Sequence, residues 1–280
     1  MILTVGDTDK LFYNGKNMTQ TPSFEIESYG MSNVGMKRTQ NEDSYLVNDS
    51  LNLYFIADGM GGHVGGEYAS RLAVTTIEEV MGHFVQDPEA TVISGVNSVG
   101  SELGDQIRFA IREASRRIYE EATANAALRG MGTTAVGVMV DDSRGYFANV
   151  GDSRAYLIRD REIMQITKDH SLVGEQVREG IIGEEEAKVH KLKNIITRSV
   201  GFQEEVEADI ETVSLKNDDI IMLCSDGLSN QVKDAEIYEI LSKLDLPTGC
   251  KRLIDLANSR GGDDNITLVV LQVHEITKQN

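Results

Sequence analysis

An α+β domain with antiparallel sheets is what this sequence predicts, and three observations predict it. Short apolar runs follow one another between Thr133 and Gln165, separated by turns too brief for a parallel crossover. Stretches with a helical apolar stripe stand apart from these runs instead of alternating with them. Four apolar runs carry an acid at one end. Residues 53–57 precede Asp58-Gly59, 146–150 precede Gly151-Asp152, 220–224 precede Ser225-Asp226-Gly227, and 266–271 follow Asp263-Asp264-Asn265. Acids so distant in sequence can converge only where their strands lie side by side.

Residues 1–22 are polar, carry little pattern and read as a mobile N-terminal extension. Phe24, Ile26 and Ser28 then alternate with Glu25, Glu27 and Tyr29, as in a strand. A polar loop over 30–43 carries Arg38 and Asn41-Glu42-Asp43. Strands over 45–47 and 53–57 are joined through Asn48-Asp49-Ser50, and the second stops at a glycine-rich turn, 59–66. A helix is predicted over 67–84, with Ala69, Leu72, Ala73, Thr76 and Val80 on one face. Glu67 suits its positive end. The stretch 86–100 is irregular. A long amphipathic helix follows over 103–126, striped by Leu103, Ile107, Ala110, Ile111, Ala114, Ile118 and Ala122, with Glu113 and Arg117 spaced as an i,i+4 pair.

Gly130-Met131-Gly132 ends that helix, and strands run over 133–140, 146–150, 154–158 and 163–165. The charged segment 169–196, with short helical patches, reads as a surface excursion. Strands over 207–215 and 220–224 come next. Two helices are then marked by Ile237, Ile240, Leu241 and Leu244 and by Cys250, Leu253, Ile254 and Ala257. Thr248, after Pro247, is the expected N-cap of the second. No linker or repeat divides the chain, so one domain is expected.

At 280 residues the chain can bury a substantial core. Its net charge of −18 argues against a nucleic-acid or anionic-membrane partner. No apolar stretch approaches the roughly 20 residues of a spanning helix, and residues 1–22 lack the basic-then-apolar order of a secretory leader. The cytoplasm is the expected location, without membrane insertion. Cys224 and Cys250 show no CxxC spacing, and Cys224 in its apolar run reads as a buried thiol.

Carboxylates without a histidine or cysteine cluster suit a hard, oxygen-seeking cation such as Mg²⁺ or Mn²⁺. Two such ions sharing a carboxylate could activate a water and clamp a phosphoryl group. Gly59, lacking Cβ, would let its carbonyl approach an ion closely, and Arg38 could take phosphate oxygens in bidentate fashion. Each motif alone also has a plainer reading. Asp-Gly is a common turn pair, Asp263-Asp264-Asn265 could be a loop, Arg38 a solvated surface arginine, and His63 an exposed side chain. Residues 59–66 lack G-x-G-x-x-G spacing, and no Walker lysine or EF-hand pattern occurs.

Six motifs in order change the balance. They are Arg38-Thr39-Gln40-Asn41-Glu42-Asp43, Asp58-Gly59-Met60-Gly61-Gly62-His63, Gly130-Met131-Gly132-Thr133-Thr134, Gly151-Asp152-Ser153-Arg154, Ser225-Asp226-Gly227 and Asp264-Asn265-Ile266-Thr267. From about Phe24 to His274 the sequence resembles the bacterial form of the metal-dependent type 2C serine/threonine protein phosphatases. The resemblance implies a four-layer αββα sandwich, two antiparallel β-sheets flanked by helices, over 23–276, with a flap subdomain at about 171–196. It implies two core ions, Mn²⁺ or Mg²⁺, bridged by Asp58. Asp226 and Asp264 would complete the first ion's shell. The Gly59 carbonyl would serve the second, with Glu42 as ligand or holder of its waters and Asp43 in support. Asp152 with Asp226 matches a weaker third-metal site, and Arg38 matches the residue that holds the substrate phosphate.

The implied reaction is one-step hydrolysis of phosphoserine or phosphothreonine by a metal-activated water, carried by Arg38, Asp58 and Asp226. No covalent intermediate is required of Cys224. Met60 stands where eukaryotic members place a histidine proton donor, so His63 or a water at the ions is left to protonate the leaving group. The implied partners are phosphorylated proteins, among them a bacterial Ser/Thr kinase and its substrates. The alternative is a pseudophosphatase that binds a phosphoprotein or kinase as a regulator.

Overall fold

A computed structural model describes residues 24–86 and 102–276. The chain runs through β1 (Phe24–Asn33), β2 (Asp43–Asn48), β3 (Leu53–Met60) and α1 (His63–Gln86), and resumes at α2 (Leu103–Ala124). It continues through β4 (Gly132–Thr133), β5 (Ala135–Asp141), β6 (Arg144–Val150), β7 (Arg154–Arg159) and β8 (Glu162–Gln165). Short helices α3 (Leu172–Arg178) and α4 (Glu184–Val189) precede β9 (Asp209–Ser214) and β10 (Ile220–Cys224). A single helical turn, α5 (Asp226–Ser229), leads to α6 (Asp234–Leu241), α7 (Leu246–Ser259) and β11 (Ile266–Glu275).

Two sheets result, one ordered β1-β11-β10-β7-β8 and the other β2-β3-β5-β6-β9, with β4 paired to the end of β3. Neighbouring strands are antiparallel in both. The short turns of the 133–165 meander demanded this.

Strand alternation builds the layers, because successive side chains leave a strand on opposite faces. Leu53, Phe55 and Ala57 pack with Ile77 of α1 and Ile111 of α2, while Tyr54 and Ile56 meet Leu223, Val269 and Leu271 from the other sheet. In β10, Ile221 and Leu223 join this middle layer, whereas Ile220, Met222 and Cys224 pack with Ile237, Leu253 and Ile254 of α6 and α7. Helices, sheet, sheet and helices thus stack in four layers, the α+β sandwich expected. Each fully buried Leu or Ile contributes ~1.5–3 kcal/mol of transfer free energy, so three apolar layers dominate the stability.

Several boundaries differ from the sequence expectation. β1 continues through Gly30 to Asn33, because β11 offers partners as far as Ile266. β3 does not stop at Asp58-Gly59 but pairs on to Met60 against β4. The glycine run is only partly a turn, since α1 begins at His63 and takes Gly65 and Gly66 into its first turn. The N-cap of α7 is Asp245 rather than Thr248. Its carboxylate accepts from the Thr248 N–H at 3.0 Å, and Pro247 sits in the first turn where a missing N–H costs nothing. The expectations for residues 1–22 and for 87–100 fall outside the described residues. Among the described residues no helix is long and apolar enough to cross a membrane.

Candidate active site

Antiparallel register brings every acid-bearing strand end to one rim of the sandwich. Asp43 opens β2 and pairs directly with Asp58 near the end of β3. Cys224, last in β10, pairs with Leu268 on one side and Arg154 on the other, so Asp226, Asp264 and Asp152 follow or precede strands at this same end. Asp58 continues the face of Tyr54 and Ile56, which points between the sheets. The sequence-predicted Asp58, Gly59, Asp226, Asp264, Glu42, Asp152 and Arg38 all belong to this rim or to the loop beside it.

The backbone around Asp58 is clamped from three directions. Its N–H donates to Thr134 Oγ1 at 3.0 Å, and its carbonyl accepts from Thr133 Oγ1 and the Thr134 N–H, each at 2.9 Å. The Gly59 N–H donates to the Glu42 carbonyl at 3.1 Å. Two glycines permit this crowding. A Cβ on Gly59 would lie 2.2 Å from the Gly66 carbonyl oxygen, and one on Gly66 would lie 1.8 Å from Glu42 Oε2. The Glu42 carboxylate therefore rests directly on the first turn of α1, whose N-terminal partial charge favours an anion.

Asn265 fixes the opposite wall. Its Oδ1 accepts from the Glu42 N–H at 2.8 Å, and its Nδ2 donates to the carbonyls of Val34 and Gln40 at 3.0 and 2.9 Å. One buried amide thus binds the loop carrying Arg38 and Glu42 to the start of β11. Arg38 itself is half exposed and donates to Asp264 Oδ2 at 2.8 Å. Partial burial opposes its charge, yet Asp264, Glu42 and Asp58 hold the guanidinium above its ordinary value. Asp226 opens the turn α5 and accepts from Asn230 Nδ2 at 3.0 Å.

The carboxyl groups repel one another. Burial, then the charges of Asp43, Asp226, Asp152 and Asp264, push Asp58 well above the usual carboxylate range. Burial lifts Asp43 to about 7 in spite of hydrogen bonds from Thr267 and Ser225. Burial and Asp226 raise Asp152 to about 7. Burial and Asp264 raise Asp226 to about 6, offset in part by Lys193 and by hydrogen bonds to Asn230 and Asp58. One buried oxygen, Asp43 Oδ1, has no hydrogen-bond partner among the described residues, while Oδ2 accepts from Ser225 Oγ at 2.9 Å. Concentrated negative charge with an unsatisfied oxygen is the environment a divalent cation relieves, and the all-oxygen donor set suits Mg²⁺ or Mn²⁺. Among the described residues no three carboxylate, imidazole or thiol groups close into a cage.

The excursion is anchored beside this rim. The His170 N–H donates to the Gly151 carbonyl at 2.8 Å, and the Gly151 N–H donates back to His170 Nδ1 at 3.2 Å. The Leu172 and Thr197 N–H groups donate to the carbonyls of Ile195 and His170, closing the base of the excursion. His170, Asn265, Thr134 and Lys193 carried no role in the sequence reading. Asn265 had a signal, its place between Asp264 and an apolar strand, but its partners lie more than 220 residues away. Cys224 is buried and its thiol is pushed up to about 12, which removes it as a nucleophile.

This sandwich, with an acid-lined rim between its sheets, defines the class: the chain belongs to the protein phosphatase 2C family, whose model matches residues 36–251. Membership makes it a protein-serine/threonine phosphatase, a hydrolase of phosphoric monoesters. A serine/threonine phosphatase, stp, of Listeria monocytogenes is 38% identical over 242 residues, 85% of this chain and 92% of that protein. Protein phosphatase PhpP of Streptococcus pneumoniae is 38% identical over 250 residues, 88% of this chain and 96% of its own length. The crystal structure of the Mycobacterium tuberculosis phosphatase PstP/Ppp matches with a TM-score of 0.78 and 35% identity, covering 89% of this chain and 99% of the other. A PstP catalytic domain crystallised with two manganese ions matches with a TM-score of 0.78 and 34% identity, covering 90% and 100%.

Proposed function

We propose that the chain hydrolyses phosphoserine and phosphothreonine in proteins at a binuclear Mn²⁺ or Mg²⁺ centre, and that it opposes a Ser/Thr kinase by acting on the kinase and its substrates. One observation carries the reading. Asp58, Asp226, Asp152 and Asp43 gather at a single rim, where burial and mutual repulsion raise their carboxyl groups above the ordinary range, the condition that divalent cations relieve. Two divalent ions would supply an activated water and positive charge for the phosphoryl oxygens.

The chain's own residues do the rest. Asp58 would serve both ions, Asp226 and Asp264 would help to hold one, and Glu42 with the Gly59 carbonyl would help to hold the other. Asp152 and Asp226 together suit a weaker third ion. Arg38 already binds one carboxylate oxygen of Asp264 at the rim. An incoming phosphate dianion would compete for that guanidinium, and bidentate contact would orient the ester for in-line attack. No residue needs to become covalently modified.

Asp58→Asn tests the reading. Phosphate release from a phosphothreonine peptide at saturating Mn²⁺ is expected to fall by ~10³-fold or more, because a group acting as part of the catalytic unit is lost. Near-wild-type turnover would refute the assigned centre.

A further inference from the structure

Behind the Asp58 strand lies a second concavity. A cavity of about 230 Å³ opens between the end of α2 and the segments around Gly130 and Gly201, lined by Tyr119, Arg129, Met131 and Phe202 among others. It is smaller than the ~300–1,000 Å³ typical of small-molecule sites, so its volume suits a single side chain. Two aromatic residues at this cavity face solvent, Phe202 at 66% exposure and Tyr119 at 38%. Arg129 is exposed and is the one charged residue of the lining.

The walls are held in place. Ser115 Oγ accepts from the Gly201 N–H at 2.9 Å and donates to the Gln203 carbonyl at 2.8 Å, which fixes the 201–203 wall to α2. The N–H groups of Thr133 and Val200 exchange hydrogen bonds with each other's carbonyls at 3.0 and 2.8 Å. The lining is also tied to the rim. β4 pairs with Gly59 and Met60, and Gly61 packs so closely on Gly130 and Met131 that a Cβ there would lie 2.7 Å from Met131 Cα. Gly132, next to the Gly130 and Met131 of this lining, is paired with Met60, directly after Gly59.

We propose that this cavity is a docking subsite for the phosphoprotein substrate, taking an apolar side chain near the phosphorylated one while Arg129 meets a neighbouring carboxylate. The proposal rests on catalysis at the Asp58 rim. Charge complementarity argues for an acidic neighbour. In a chain of net charge −18, a substrate acid is disfavoured over much of the surface, and Arg129, which has no ion pair among the described residues, offers it a favourable contact beside the exposed aromatic rings of Tyr119 and Phe202.

Phosphothreonine peptides carrying Leu-Glu or Leu-Lys at each of positions two to four on either side test this, with an aryl phosphate as the small substrate. Arg129→Glu is expected to raise KM for the best Leu-Glu peptide about 3- to 5-fold and to lower it for the matching Leu-Lys peptide, since one exposed attraction becomes a repulsion. Phe202→Ala should raise KM for both peptides. Both variants should turn over the aryl phosphate within about 2-fold of wild type. Equal changes on peptides and aryl phosphate, or no change in peptide preference, would overturn the subsite. A wild-type protein inactive on the aryl phosphate would instead refute the catalytic reading beneath it.

Discussion

Gly66 supports the Glu42 carboxylate from below, and the absence of a side chain there is the condition for its position. Gly66→Ala would drive a methyl group into that carboxylate, 1.8 Å from Oε2. Displacing Glu42 should weaken Mn²⁺ binding and cost ~1–3 kcal/mol in stability, the range for overpacking a filled site. Isothermal titration with Mn²⁺ and thermal unfolding measure the two effects, and an unchanged affinity would remove Glu42 from the metal shell. The residues of this site were legible in the sequence to different depths. Asp58, Asp226 and Asp264 showed themselves by stopping or starting apolar runs. Both Glu42 and Arg38 lie in a loop without periodicity; Arg38 stood out by its guanidinium chemistry, and only the ordered motif set gave Glu42 a role. Beyond its place beside Asp264, the bridging work of Asn265 left no sign in the sequence, because a side-chain amide that joins two distant segments makes no local pattern.

The strands and helices were legible wherever their own side chains decide the structure. β10 was read to its ends, since five buried apolar residues bounded by polar ones admit little else. The 133–165 meander gave its turns away through Asp141-Asp142-Ser143-Arg144-Gly145. The ends that were misread are those decided by a partner. β1 runs on through Gly30-Met31-Ser32-Asn33 because β11 lies beside it, and α1 starts four residues early because its glycines pack against Met131 and Glu42. The turn α5 depends on Gly227 fitting against Asn265, whose carbonyl oxygen would lie 1.9 Å from a Cβ. The excursion carrying α3 and α4 has its own prediction. Ile181, Val189 and Leu192 are exposed on it, and its base hangs from Gly151 beside Asp152. Replacing residues 184–189 by a short glycine linker should reduce kcat/KM for a phosphoprotein by ~10-fold, within the reach of a modest interface, and spare an aryl phosphate. Equal losses on both substrates would mark the segment as structural.

At the scale of the whole molecule, the buried acids tie stability to pH and to cations. Asp43 and Asp152 at about 7, Asp226 at about 6 and Asp58 well above the ordinary range all retain protons that an unfolded chain would release near pH ~4. The folded state then binds more protons than the unfolded one, so unfolding free energy falls as pH rises. This stabilisation is complete below pH ~4 and is lost as pH passes through the raised values. Chelator-treated protein should show a falling Tm between pH 5 and 7.5, and saturating Mn²⁺ should restore more at pH 7.5 than at pH 5. Asp58→Asn should flatten the slope in chelator, and a Tm independent of pH in the wild type would contradict the assignment.

β11 has a consequence of another kind. It lies between β1 and β10, and it is preceded by Asp264 and Asn265, whose partners Arg38, Gln40 and Glu42 come from the start of the described chain. Contacts closing more than 220 residues form late, because loop closure must precede any gain from the pairing. On the centre proposed above, a nascent or partly folded chain holds Asp58 without its partners and should not remove phosphate. On that reading, activity would mark completed folding, and a chain interrupted before its last strand docks should leave the phosphoproteins around it untouched.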